Sequence, residues 1–267
     1  MTHQPSTANR EALRKFRESE GGGVFLCNWS RVLMVHFRIV PEDLQPLVPI
    51  PLDTREGWAY LSLVAFEQAD FRPRLGGRIA RWLAVPAGCH HFLNLRTYVH
   101  LAGERGIYFL AEWVPNRLAT LLGPRLYGLP YRFGRLDYRF SGETGTMSGE
   151  VEGPGAIGGS PLLRQSWSST IGKEVRFERA DEGSLSEFLM ERYTAFTERC
   201  RVRRLFRIWH RPWLQAPVEI ELRERSLFEA RLPSLRGAAT VAANYSPGLK
   251  DVRIGRPRRL CLAAGIG

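Results

Sequence analysis

The sequence predicts a mainly β fold (α+β): an antiparallel barrel or sandwich with a few peripheral helices. Three observations carry this. Apolar and polar residues alternate with a period of two in several stretches, Gly and Pro turn signals separate those stretches, and helical periodicity is confined to a few short segments. At 267 residues, 44% of them hydrophobic, the chain can bury a substantial core.

Residues 9–20 read as a short charged helix that Gly21, Gly22 and Gly23 release. Residues 1–23 are therefore set apart as a helix and glycine linker, followed by one domain over 24–259 and a tail over 260–267. In VLMVHFRIV, Leu33, Val35, Phe37 and Ile39 alternate with Met34, His36 and Arg38, which predicts a strand with one polar-tolerant face. Pro41 opens a helical turn. WAYLSLVAF is apolar on both faces and suits a central strand covered on both sides. The basic stretch FRPRLGGRIARWLAVPAG then leads to FLNLRTYVHL, where Leu93, Leu95, Val99 and Leu101 oppose Phe92, Asn94, Arg96, Tyr98 and His100. Two readings of that second face stand: solvent, or the lining of a polar cavity inside a barrel, which would use Phe92 and Tyr98 better than water does.

GIYFLAEWV reads as a further strand, NRLATLLGPRLYG as a short helical connection, FGRLDYRF as a strand and GETGTMSGEVEGPGAIGGSP as a surface loop. The clearest helical pattern is SLSEFLMERYTAFTERC. Ser184 and Glu187 form a capping box there, and Leu185, Phe188, Leu189, Tyr193, Phe196 and Cys200 share one face. RRLFRIWH and PVEIELRE return to strands.

Composition narrows the function. No apolar run approaches the ~20 residues of a membrane helix and the N-terminal stretch is polar, which predicts a cytoplasmic protein. The net charge is +11, but arginine is spread along the chain and lysine occurs only at Lys15, Lys173 and Lys250. A nucleic-acid or anionic-membrane partner is therefore disfavoured, its best local support being ERCRVRRLFRIWHRPW. Cys27, Cys89, Cys200 and Cys261 form no CxxC pair. Cys89, His90 and His91 adjoin, yet neighbours on an extended chain point to opposite sides, so no metal is expected. Gly153, Gly155 and Gly158 match a GxGxxG spacing, but Pro154 and Pro161 spoil the helix a dinucleotide would need, so no cofactor is expected. Neither GxSxG nor a Ser/His/Asp arrangement is recognisable.

The succession VHFRIVPEDLQPLVP, NLRTYVHL, GIYFLAEW, GLPYRF, FLMERYTAF and HRPWLQAP is similar to the YqjF-like family of uncharacterised domains, grouped with the acetoacetate decarboxylase superfamily. The resemblance runs in order from Trp29 to Pro247. It implies a cone-shaped, closed antiparallel β-barrel with the site inside, in a superfamily whose barrels often form homo-oligomers. In acetoacetate decarboxylases a glycine, an aromatic or apolar residue and a proline precede two adjacent lysines. One forms the Schiff base and the other lowers its pKa, because an amine desolvated beside a second cation becomes nucleophilic near neutral pH.

GLPYR resembles that stretch with Tyr131 where the nucleophile would be and Arg132 where its helper would be. Neither can form an iminium. The expectation is therefore a cavity that binds a small anionic or carbonyl-bearing metabolite, a carboxylate above all. Arg132, Tyr131, Arg96 and Asn94 would hold it, with Tyr98 on the same wall and His210 at the rim. The alternative is a lysine-independent lyase, hydrolase or isomerase with Tyr131 or His210 as proton donor. Members of the family usually carry a glutamate two positions before the asparagine of the NxRTYV block. Phe92 stands there in this chain, which leaves Glu112 and Asp137 to replace it if the fold brings one close.

Overall fold

The computed structural model describes residues 6–19, 23–74, 89–154, 162–172, 174–229, 236, 238 and 240–260. Gly21 and Gly22 of the linker, most of the basic stretch before Cys89 including Trp82, Gly155, Gly158, Pro161, Lys173, Cys261 and the remainder of the tail lie outside them.

Alternating segments build most of the molecule. Strands β1 (Gly23–Ile39), β2 (Ala59–Pro73), β3 (His90–Leu101) and β4 (Glu104–Val114) run antiparallel in sequence order, and β5 (Tyr131–Phe133) adds to β4. A second sheet holds β6 (Arg135–Ser141), β7 (Thr146–Pro154), β8 (Leu162–Thr170) and β12 (Glu219–Glu224) in the order β12-β8-β7-β6. The large sheet is completed by β9 (Thr194–Arg199), β10 (Val202–Trp209), β11 (Ala216–Pro217), β13 (Thr240–Gly255) and β14 (Arg258–Arg259), in the order β11-β13-β1-β2-β3-β4-β9-β10-β14. β10 also pairs with β13 at Ile208–Ile254 and Trp209–Arg253, so β13, β1, β2, β3, β4, β9 and β10 have partners on both edges.

Not every pairing is antiparallel. β4 runs parallel to both β5 and β9, because helix α3 (Arg117–Leu126) and later the second sheet carry the chain back before it rejoins β4. The other α-helices among the described residues are α1 (Thr7–Glu18), α2 (Pro41–Leu44), α4 (Leu185–Met190) and α5 (Ser226–Glu229). No helix among the described residues is long and apolar enough to cross a membrane.

The period-two pattern sorts side chains into two cores. Leu33, Val35, Phe37, Leu61, Leu63, Leu93 and Leu95 pack toward the second sheet, against Met147, Val151 and Trp167. Val32, Met34, Val64, Phe66, Phe92 and Tyr98 occupy the opposite face with α4. The polar-tolerant face of β1 and the Asn94/Arg96 face of β3 thus share the second core, which contains the cavity described below.

Two segments depart from the sequence expectation. The helix that Ser184 starts ends at Met190, and TAFTER within the expected helix is instead strand β9. Ser184 caps as expected, its hydroxyl accepting from Glu187 N at 3.1 Å, while the Glu187 carboxylate takes Gly183 N. Beyond Met190, Thr194, Phe196 and Thr197 favour a strand, and two open edges, β4 and β10, take up its backbone. The Gly-rich expected loop holds β7, whose Met147 and Val151 are buried and whose backbone pairs on both sides. Its many glycines concealed the alternation.

Helix α1 packs on the large sheet. Asn9 is buried and its amide donates to Tyr193 OH at 2.8 Å and to the His210 carbonyl at 2.9 Å. Phe16 is buried on the same side.

Candidate functional site

A cavity of about 310 Å3 opens on the inner face of β1 to β4, bounded by β5, β10, α3 and α4. That volume lies in the range of small-molecule sites. Its lining is mostly aromatic and aliphatic, and four of its polar groups, His90, Asn94, Arg96 and Glu112, lie along β3 and β4. The register orders them by depth. His90 stands level with Gln68, Asn94 level with Val64 and Glu112, and Arg96 lowest, level with Ser62 and Phe109. Met190 and Arg192 line the same cavity from the α4 side.

A β-bulge decides which β4 side chain faces inward. Leu95 pairs with Ala111 but Arg96 pairs with Phe109, leaving Leu110 as the extra residue. Even-numbered Glu112 therefore faces the cavity above the bulge, and odd-numbered Phe109 and Ile107 face it below. Leu110 and Ala111 both turn to the other core. A simple alternation over GIYFLAEWV cannot set Glu112, Phe109 and Ile107 on one face.

Three of the buried polar groups each leave an atom without a partner. Arg96, Asn94 and Glu112 are 9%, 5% and 4% exposed, and Arg96 Nε, Asn94 Oδ1 and Glu112 Oε1 make no hydrogen bond. Among the described residues Arg96 Nη2 reaches only Leu189 O at 3.3 Å and Met34 Sδ at 3.5 Å. Burial pushes the Glu112 carboxyl up to about 8, against the pull of the Arg96 charge, so it is mostly protonated at pH 7. His210 lines the cavity with Nδ1 2.7 Å from Arg211 O. Burial first, and then Arg96, lower it to about 4, and burial lowers His90 to about 4, so both are neutral. Arg192 is paired instead, with Nη1 2.7 Å from Asp53 Oδ2. At neutral pH the deep end thus holds one guanidinium with no carboxylate ion-paired to it among the described residues.

The expected site residues divide. Asn94, Arg96, Tyr131 and His210 line the cavity. Tyr98 shares the face of Arg96 but lies below the cavity, sealed under Phe188, and its hydroxyl donates to Leu189 O at 2.9 Å. Ser62 Oγ, 2.6 Å away, donates to Tyr98 and accepts from His36 Nδ1, also at 2.6 Å. Tyr98 is thus committed to a structural chain.

Arg132 is not among the lining residues. Successive residues of β5 point to opposite faces, so turning Tyr131 inward turns Arg132 away. Asp137 is exposed on β6 and paired with Arg139, whereas Glu112 reaches the cavity. His91 faces away from His90, stacking on Tyr138 with its Nε2 3.5 Å from Glu67. Arg203 and Arg207, in the basic run on β10, pair with Glu198 and Glu104.

The turn YGLPY positions Tyr131. Gly128 adopts φ +74°, the left-handed conformation that ends α3, and Thr197 Oγ1 donates to Tyr127 O at 2.6 Å. Pro130 O then accepts from Glu112 N at 3.2 Å, laying Tyr131 beside Glu112. Helix α3 covers the ring, and a Cβ at Gly123 would stand 2.5 Å from Tyr131 Cδ2 and Cε2. Gly123→Ala should therefore displace Tyr131 and destabilise the fold by about 1–3 kcal/mol in urea unfolding, despite the better helix propensity of alanine. A neutral or stabilising result would remove the close contact.

The family model described as DUF2071, uncharacterized conserved protein, matches residues 27–250. The chain belongs to this family. It is 29% identical over 206 residues to the uncharacterized protein YqjF of Bacillus subtilis (strain 168), covering 76% of this chain and 79% of that protein. Its fold is that of acetoacetate decarboxylase-like structures. An acetoacetate decarboxylase-like enzyme from Sphingomonas wittichii RW1 superposes with a TM-score of 0.60 at 17% identity, over 89% of this chain and 93% of that one. The enduracididine biosynthesis enzyme MppR complexed with pyruvate superposes with a TM-score of 0.57 at 12% identity, over 91% and 93%. Within the family's fold, no lysine among the described residues lines the cavity: Lys15 sits on α1 between Glu11 and Glu104, and Lys250 is exposed on β13.

Proposed function

We propose that this chain binds a small carboxylate or carbonyl-bearing metabolite inside a closed barrel, without Schiff-base chemistry. The observation that carries the reading is Arg96, a buried guanidinium whose Nε has no partner and whose nearest cavity carboxyl, Glu112, is kept neutral by burial. A buried unpaired charge is costly, and an anionic ligand group would relieve it. Protonated Glu112 can donate to the same group, and Asn94, directly across the strand pair, can help orient it. The pairing of β10 with β13 supports the closed barrel, and MppR's complex with pyruvate supports a keto acid as one ligand class.

The test is a thermal-shift screen of pyruvate and short monocarboxylates against the matching alcohols and amides. A carboxylate at ~100-fold above its dissociation constant adds about 2.7 kcal/mol of stability. Arg96→Ala should abolish the response and Arg132→Ala should keep it. A response that survives Arg96→Ala, or that the alcohols share, would refute the reading.

An enzymatic reading draws on the same geometry. His210 is held neutral at about 4 and burial raises Tyr131 far above its ordinary value, which leaves both poor proton donors at pH 7. Glu112, near 8 and in register with Tyr131, is the group poised to give or take a proton. An enzyme would lose turnover in Glu112→Gln while keeping its ligand.

A further inference from the structure

We infer that the ligand is an amphipathic carboxylic acid whose head group sits at Arg96 and whose apolar tail runs up the cavity to the leucines of α3. This rests on the carboxylate reading above and adds the chemical class of the rest of the molecule.

Arg96, Glu112 and Arg192 gather toward one end of the cavity, with Asn94 beside them. Arg96 lies at the depth of Ser62 and Phe109, whereas Phe25 pairs with Pro73 and Ile254, at the opposite ends of β1, β2 and β13. Between these levels, apart from Asn94, Glu112, Gln68 and His90, the lining is rings and branched aliphatics. Phe66 and Phe92 stack at 5.0 Å, Phe25 and Phe71 stack at 4.8 Å, and Tyr127 packs edge-on to Phe206 at 4.9 Å. A three-carbon acid held at Arg96 would touch almost none of this surface.

The upper end is apolar as well. Leu118, Leu122 and Leu126 of α3 line the cavity and are 41%, 41% and 54% exposed. Exposed leucines that continue an apolar cavity form the wall along which an apolar tail enters, and each buried methylene of that tail gains free energy by leaving water. Among the described residues, the polar lining near this level, His90, Gln68 and Tyr127, carries no charge at neutral pH, so it offers no second acidic or basic group an anchor. The tail therefore ends without a charge.

Calorimetric titration with straight-chain acids from acetate to decanoate, each below its micellar concentration, tests this on the full chain. Affinity should rise roughly fourfold per added methylene until the tail reaches α3. Leu122→Asp should end that rise at a shorter chain. The same series of primary alcohols should bind far more weakly. Equal affinity for all acids regardless of length would overturn the tail while leaving the carboxylate site standing. Alcohols binding as tightly as the acids would overturn the head-group assignment, and no binding by any acid would remove both.

Discussion

Glu112→Gln is expected to melt well above the native chain at pH 8 and at nearly the same temperature at pH 4. The carboxyl titrates near 4.5 once unfolded and at about 8 in the fold, where burial opposes its charge. Below pH 4.5 both states are protonated and the group contributes no pH dependence. Between 4.5 and 8 the unfolded chain releases the proton and the folded chain keeps it, so stability falls as pH rises through that window. Above about 8 the penalty is constant. Glutamine keeps the shape and cannot ionise, so the variant escapes a cost on the order of 4 kcal/mol.

For a chain of this size that corresponds to roughly 10 °C. Glu191, held near 7 by burial on the α1 side, has the same sign but is present in both proteins and cancels in the difference. Melting curves across pH 4 to 9 measure the effect, and parallel curves for the two proteins would mean that Glu112 is ionised in the fold.

Asp53→Ala carries the second large effect, in the opposite direction. Arg192, its side chain 4% exposed, gives Nη1 to Asp53 at 2.7 Å and Nε to Phe188 O at 2.7 Å, and lies over the Phe188 ring at 4.3 Å. Removing the carboxylate leaves a guanidinium that cannot deprotonate and is only 4% exposed to water, which costs about 3–5 kcal/mol. Arg105, bound to the same carboxylate but 56% exposed, offers the control. It can turn into solvent, so Arg105→Ala should cost no more than about 1 kcal/mol. Urea unfolding of the two variants distinguishes them. Equal losses would show that Arg192 does not depend on Asp53.

The effect reaches the cavity because Arg192 and Met190 line it while the neighbouring Leu189 carbonyl accepts from Arg96 and Tyr98. Asp53, α4 and Arg96 thus form one connected support. Its apolar part, Phe188, Leu189 and Met190, is buried, each side chain worth about 1.5–3 kcal/mol.

Local pattern alone determined a good part of this. Leu33, Val35, Leu93 and Leu95 alternate with Met34, Asn94 and Arg96 because a strand has a period of two, and the face each would share followed from that. The Ser184 cap is equally local, a hydroxyl meeting an orphan N–H within one turn. That Tyr131 and Arg132 stand where the resemblance to acetoacetate decarboxylases would place two lysines is read from the sequence and that resemblance.

Tertiary structure decided the rest. Helical spacing continues to Cys200, but two unpaired strand edges outbid it after Met190. Arg132 adjoins Tyr131 in sequence, and the same period of two that turns the phenol inward turns the guanidinium out. Glu112 enters the cavity only because one extra residue at Leu110 shifts the parity of β4, an event set by pairing with β3. Its acidity likewise belongs to the fold, since the free energy that raises it is the loss of water, which no residue type encodes by itself.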